Sequence, residues 1–527
     1  DDNITMECSP EPTRVEGELK LTFSSDYTWM VFFSEPVMVQ CIDLGSSVQW
    51  QVVKLADDNA ALDQLTIRAA LLTSCTNGNN AIYCNDDNQD PTVTAEYEDL
   101  LRERAPLFPG PNADVRYGVD TKSAKATVRL DWDVQDMKKS KTGTADNELF
   151  MYALPHHLTR MEGDKWMPWS ANFCHTSLIG STCAVTGSTW DLQEDLPIAS
   201  FRSPRPPLVE ALPAIAQALS KDISYQIPEN FQRGAGDTYF SGKILARLGR
   251  VLLIHEELED LCNGIARGYD LTDEEKLAYM NACVDITLPS DDEINKAVDM
   301  LRSSVEVWIN GTAEAQFAYD SGWGGVINCG CIWNGAGCED NLDDCPATRE
   351  QGLNFGNGFY NDHHFHYGYH VYAAAALTHF DRAWGRQHFE DVLLLVRDYA
   401  NPSEDDVFFP RFRNKDWYQG SSWASGITNP TFGNIVNQES TSEAIAGYEA
   451  VALFGKEMML AWDEVNKPKK VKISREIRDV GLVTAATEIR STDFYWHVLR
   501  ENDPREIYPS GYLHGVVGIL WATMAQF

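Results

Sequence analysis

Basic residues are scarce in this chain: Lys and Arg number 43 against 78 Asp and Glu, a net charge of −35 over 527 residues. Such a surface repels phosphate backbones and anionic membranes, so nucleic acid is excluded as a partner and a neutral or cationic ligand is expected. Long apolar runs are missing too. The stretch from Gly515 to Phe527 falls short of the roughly 18 residues a membrane span needs, so no membrane insertion is expected. No basic and apolar leader stands before Asp1, which reads as a processed or excised chain. No repeat of roughly 20 to 50 residues is present, which excludes a solenoid. Low-complexity readings also fall away, because 43% hydrophobic and 11% aromatic residues make a packed globular composition. At roughly 150 residues per domain the length suggests about three domains.

Cysteine is not scarce. Four of the 12, Cys329, Cys331, Cys338 and Cys345, crowd into one Gly- and Asp-rich stretch. That reads as a disulfide-stapled loop in an oxidising compartment, with both bridges local or one partner drawn from elsewhere. Zinc is the alternative, but the spacing lacks the paired C-x-x-C knuckles of common zinc modules. Sequons at Asn3 and Asn310 agree with a secreted, glycosylated protein or one held in an endomembrane lumen.

Up to about residue 200 short β-type runs alternate with polar turns, and no long helical pattern is read there. Ala126, Val128, Leu130, Trp132 and Val134 are apolar at every second position, and similar runs at Thr28 to Phe33 and Val48 to Val53 suggest a β-sandwich. The Asn- and Asp-rich stretch from Cys75 to Asp90 reads as a solvated loop rather than a calcium site. Ser203-Pro204-Arg205-Pro206-Pro207 breaks the pattern, and a period near 3.6 follows. Thr272 with Glu275 fits a capping box, and His255 on its apolar stripe reads as a packed histidine. From about residue 290 long amphipathic segments imply a large helical domain.

Several motifs fail on inspection. Gly236 to Lys243 has the wrong glycine spacing for a phosphate loop, with Ile244 in place of the hydroxyl, and reads as a helix start. His156-His157 reads as a structural corner. No G-x-S-x-G elbow or catalytic thiol is evident.

Two clusters carry chemistry. In Asn361-Asp362-His363-His364-Phe365-His366-Tyr367-Gly368-Tyr369-His370, ahead of an apolar helix from Tyr372 to Phe380, Tyr367 stands where a zinc-protease helix needs an acid. The alternative is a carboxyl, Asp362, kept protonated by aromatic and imidazole neighbours. In Asn437-Gln438-Glu439-Ser440-Thr441-Ser442-Glu443-Ala444, the glutamates share one helical face if the helix already begins at Glu439. Ala444, Ile445 and Gly447 follow rather than Lys or Arg, so these carboxylates face something other than bulk water. Between the clusters, Trp417, Tyr418 and Trp423 offer sugar-stacking platforms among hydrogen-bonding groups. Together these features point to hydrolysis of a glycosidic bond by paired carboxylates, without metal or cofactor.

The same residues resemble glycoside hydrolase family 81, the endo-β-1,3-glucanases. The resemblance lies in Tyr319-Asp320 with Trp323-Gly324-Gly325, in Phe355 through Tyr369, in Asp416-Trp417 and in Asn437 through Ala444, and more weakly in Ala153 through His157 and Tyr239 through Lys243. It implies a multidomain α+β fold: an N-terminal β-sandwich (1–203), a small α/β connecting domain (204–290) and a C-terminal (α/α)6 barrel (291–527), with both chain ends incomplete. It also implies a secreted, monomeric enzyme that cleaves internal β-1,3-glucosidic bonds with inversion. By the same resemblance Asp362 is the acid and the base lies in the Glu439 and Glu443 pair, Glu439 being favoured with Glu443 in support. Tyr319, Asp320, Trp323, Asn361, His364, His366, Asp416, Trp417 and Trp423 are implied as glucan-binding residues. Two departures stand out: Ser421 replaces the family's usual His, and the four-cysteine insertion precedes the acid. A glucan-binding, lectin-like protein with the same cleft is the alternative from another functional class, and a helical-barrel hydrolase or lyase acting on another polymer is a third.

Overall fold

A computed structural model describes residues 11–22, 28–45, 48–54, 65–72, 91–137, 149–161, 174–177, 179–335, 337–338, 345–427, 436–499, 503, 505–508, 511–520 and 525–526. The stretch from Cys75 to Asp90 and the sequon at Asn3 lie outside these residues. The chain divides into two compact units, Asp1–Gly118, Thr127–Gln193 and Val498–Leu513 in one, and Val119–Ala126, Glu194–His497 and His514–Phe527 in the other.

The first unit carries the expected strands as small antiparallel sheets. They comprise β1 (Thr13–Val15), β2 (Glu18–Thr22), β3 (Thr28–Phe33), β4 (Val37–Asp43), β5 (Val48–Lys54) and β6 (Ile67–Leu72), in the orders β1-β4-β5 and β2-β3-β6. Alternate residues from these two sheets, Val15, Leu19, Phe33, Val37 and Val39, meet in one buried cluster. The expectation of no helix in this region is corrected by α1 (Pro91–Arg104). Pro91 suits a first-turn position. Tyr97, Leu100, Leu101 and Ala105 recur at helical spacing and pack on Met30, Phe32 and Leu72 of the sheet.

Further strands follow: β7 (Leu107–Asp120), β8 (Lys125–Asp136), β9 (Phe150–Ala153), β10 (Cys174–Ser177), β11 (Gly180–Thr186) and β12 (Thr189–Asp195), in the orders β12-β8-β7 and β10-β11-β9. In β8, Ala126, Val128 and Leu130 are buried as the alternation requires, while Trp132 and Val134 are only half-buried. His156 and His157 form a buried corner in α2 (Pro155–Leu158), where His157 Nδ1 accepts from the Leu154 amide at 3.1 Å.

The second unit is helical. Residues 204–290, expected to hold a small α/β domain, carry helices and no strand: α3 (Leu212–Asp222), α4 (Glu229–Gln232), α5 (Thr238–Cys262) and α6 (Asp273–Ala282). Each apolar stripe there finds a helix to pack on, so no sheet is needed. α5 starts where the phosphate-loop resemblance was rejected, with Asp237 capping the Phe240 amide. The Thr272–Glu275 capping box opens α6, and His255 is buried. There follow α7 (Asp291–Ile309), the hairpin β13 (Phe317–Asp320) and β14 (Gly325–Asn328), α8 (His363–Phe380), α9 (Arg382–Gln387) and α10 (Phe389–Ala400). After these come the short pair β15 (Lys415–Asp416) and β16 (Ser421–Ser422), then α11 (Thr441–Asp463), α12 (Pro468–Tyr495) and the terminal pair β17 (Ile519–Leu520) and β18 (Ala525–Gln526).

α8 is buried almost all round, the mark of a central helix. It crosses α11 at backbone contact: a Cβ on Gly368 would lie 2.6 Å from Gly447 Cα, and one on Gly447 would lie 2.3 Å from the His364 carbonyl oxygen. That crossing falls within two turns of the N-termini of both helices and draws them together.

The cysteine expectation holds. Cys329–Cys345 and Cys331–Cys338 are bridged locally, and Cys262–Cys283 joins the end of α5 to the end of α6. No free cysteine occurs among the described residues.

Candidate active site

Asp362 is the N-cap residue of α8, in the left-handed region at φ 56°. It ends a run in which Asn354, Phe355, Gly356 and Tyr360 also have positive φ. Left-handed backbone costs a non-glycine residue roughly 1–2 kcal/mol, so the loop persists only because its surroundings hold it. Buried groups do so. The Asn357 side chain accepts from the Asn328 amide at 2.7 Å and the Tyr367 hydroxyl at 3.2 Å. His363 bonds Asp398 through Nδ1 at 2.5 Å and the Asn357 carbonyl through Nε2 at 2.8 Å. Asp398 also accepts from the Val326 amide at 2.9 Å, so α8, α10 and β14 converge beside Asp362.

One buried residue connects the two chemical clusters. The Asp362 amide donates to the Ala424 carbonyl at 2.9 Å, and the Ala424 amide donates to the Asn437 carbonyl at 2.9 Å. Asn361 reinforces the link by accepting from the Gly426 amide at 2.7 Å. The segment 421–427 therefore sets the spacing between Asp362 and the glutamates.

Burial, followed by the charges of Glu439 and Glu443, pushes the Asp362 carboxyl up to about 8. A carboxyl raised that far favours its protonated form at neutral pH. Glu443 lies in the first turn of α11, capped by Ser440. Its Oε1 accepts from Tyr239 at 2.8 Å and Tyr369 at 2.5 Å, with Lys243 Nζ at 3.7 Å. Glu439 precedes the cap, so the two glutamates do not share a helical face, because Ser440 turns the chain between them. The Glu439 carboxylate is exposed and has no hydrogen bond among the described residues; partial desolvation and the charge of Glu443 hold it above the usual range.

The other expected site residues separate into three groups. Tyr319 and Trp323 are exposed on the β13–β14 hairpin, where aromatic faces are open to a ligand. Asp320, Asn361, Asp416 and Trp423 spend their polar groups on scaffold. Asp320 accepts from Tyr360 at 2.8 Å, and Asp416 accepts from the Tyr418 and Gln419 amides and from Trp423 Nε1 at 3.1 Å. His364, His366 and Trp417 are buried, which corrects the expectation that they form the binding surface. His366 bonds Thr238 Oγ1 at 2.5 Å and His370 bonds the Thr238 carbonyl at 3.1 Å, while Trp417 packs edge-on against Phe412. Burial holds the His364 imidazole down to about 3 and that of His366 well below its usual range. No group of three or more potential metal ligands occurs among the described residues.

Tyr239, Lys243 and Tyr369 escaped the site assignment. The signal for the first two was present as a Tyr and a Lys four apart at a helix start, but nothing local says that they reach Glu443, some 200 residues away.

Residues 272–527 match the model of the glycosyl hydrolase family 81 C-terminal domain. A Glycine max glucan endo-1,3-beta-D-glucosidase is 29% identical over 76% of this chain and 50% of its own length. One from Thermobifida fusca is 31% identical over 55% of this chain and 30% of its own. The chain thus spans half or less of the length of these curated relatives. A solved glycoside hydrolase family 81 structure from Clostridium thermocellum superposes with a TM-score of 0.62 at 22% identity, over 97% of this chain and 57% of that one, a likeness of fold. Residues 272–527 are thus similar to the C-terminal domain of glycosyl hydrolase family 81.

Proposed function

We propose that the chain hydrolyses internal β-1,3-glucosidic bonds with inversion. What carries this reading is the buried Asp362 carboxyl, whose hold on its proton is strengthened by burial and by the charges of Glu439 and Glu443, with Glu439 lacking a hydrogen bond among the described residues and Glu443 fixed by Tyr239 and Tyr369. Asp362 gives its proton to the leaving glycosidic oxygen as the C–O bond breaks. Glu439 takes a proton from the water that attacks the opposite face of the sugar, so charge and atoms balance. Glu439 suits the base because its exposed carboxylate has free lone pairs and raised basicity. Glu443, clamped by Tyr239, Tyr369 and Lys243, orients water or sugar. Tyr319 and Trp323 stack on pyranose faces.

The names of the relatives support a β-1,3-glucan as the substrate. The disulfides support secretion. For the fold, we infer that the helices of the second unit close as an (α/α)6 barrel and that the first unit is a β-sandwich.

Laminarin tests the reading. Fresh products followed by NMR should appear first as the α-anomer. Initial β-anomer would require a retaining mechanism and overturn these roles, and binding without release of reducing sugar would favour the lectin-like alternative.

A further inference from the structure

We propose that the cystine-stapled loop after β14 builds an additional sugar subsite, with Trp333 as its stacking platform. The proposal rests on the glucan-cleaving reading above.

A cavity of about 350 Å³ lies beside this loop, lined by Asn230, Phe231, Asp237, Cys331, Trp333 and Phe355 among others. That volume falls within the roughly 300–1,000 Å³ of small-molecule sites. Its chemistry suits a sugar: aromatic faces from Phe231, Trp333 and Phe355, with Asn230 and Asp237 to meet hydroxyls. Trp333 is 50% exposed and Phe355 51%, a large apolar area to leave in water unless a ligand covers it.

The described residues of the loop, 331–335 and 337–338, hold that ring in place. Cys331–Cys338 closes it, and Trp333 pairs with Cys338 across a β-bridge. Asn334 and Gly337 are tied by two 3.1 Å hydrogen bonds. The loop is also anchored to the helical scaffold, because the Cys338 amide donates to Glu314 at 3.0 Å and Glu314 pairs with Arg233 at 3.1 Å. A platform immobilised before binding loses little entropy when a sugar arrives.

The cavity connects to the chemistry. The Phe355 ring lies 5.7 Å from that of Tyr239, the residue that donates to Glu443. Asn354 fixes the cavity floor, its Oδ1 accepting from the Thr238 amide at 3.0 Å and its Nδ2 donating to Asn328 at 2.8 Å. A glucan chain leaving the catalytic carboxylates past Tyr239 and Phe355 meets Trp333 next. The staple therefore lengthens the cleft, and the enzyme should favour longer chains.

The test compares binding of laminarihexaose and laminaritriose to the Asp362→Asn chain, which leaves both uncleaved, with and without Trp333→Ala. The hexaose-to-triose affinity ratio should fall about tenfold, equivalent to about 1.4 kcal/mol. Trp333→Tyr should retain most of it, and a Cys331→Ser, Cys338→Ser double variant should lose it although Trp333 is present. An unchanged ratio in both Trp333→Ala and the double variant overturns the subsite. Laminarin hydrolysis by the unaltered chain is measured alongside. A Trp333-dependent ratio without hydrolysis keeps the subsite and overturns the enzyme reading, and absence of binding to either oligosaccharide overturns both.

Discussion

Replacing Asp362 by Asn should abolish turnover and stabilise the protein, and the stabilisation should depend on pH. Asn tolerates the left-handed backbone at φ 56°, so the loop and the Asp362–Ala424 hydrogen bond are kept. The native carboxyl is raised to about 8 from an ordinary value of 3.8, by burial and then by Glu439 and Glu443. Its contribution to stability is fully present below the unfolded value and is lost as pH rises towards the folded one. In between, the unfolded chain has released a proton that the native chain still holds, at about 1.4 kcal/mol per pH unit. From pH 5 to pH 7 the Asn variant should therefore gain about 3 kcal/mol over the unaltered chain. Urea titrations followed by tryptophan fluorescence at the two pH values measure this gain directly. In the unaltered chain, kcat/KM should fall as pH rises through about 8, where the acid loses its proton. If the advantage of the Asn variant is the same at pH 5 and pH 7, the carboxyl is not held protonated and the assignment of Asp362 as the acid fails.

Gly447→Ala should destabilise the protein by at least the roughly 1–3 kcal/mol of an overpacked core, since the new methyl would meet the His364 carbonyl oxygen at 2.3 Å. Activity should fall with it because α8 and α11 position Asp362 and Glu443; an unchanged urea midpoint would show that the crossing is looser than described. His379 provides a separate pH signature. Burial alone would lower its pKa, but a hydrogen bond to Glu256 and the carboxylate of Glu457 at 3.3 Å raise it to about 9. The stabilisation from this clamp is present below about pH 6.5 and lost as pH rises through about 9, up to about 3 kcal/mol in all. His379→Gln should flatten that alkaline decline, and an equally steep decline in the variant would refute the clamp.

The sequence alone marked the residues on which the proposed chemistry rests and most of the local structure. A deficit of basic residues argued against nucleic acid, two runs of acidic, imidazole and aromatic residues marked Asp362 and the glutamates, and four crowded cysteines foretold their own pairing. These signals are local, and periodicity or composition can read them. α1 was legible in the spacing of Tyr97, Leu100 and Leu101 but was masked by the β-type runs around it. Tertiary structure alone decided which expected residues are exposed and which are scaffold. His364, His366 and Trp417 look like ligand-binding residues in sequence, yet all three are buried, and His366 bonds Thr238 of α5. It also decided what meets the carboxylates. Tyr239 and Tyr369 reach Glu443 from two other helices. The backbone of Ala424 spaces Asp362 from Glu439, a role open to any residue whose amide and carbonyl are held in place. The physical reason is that backbone hydrogen bonds and close glycine crossings carry no side-chain signature, so only the assembled helices reveal how Asp362 and the glutamates are linked.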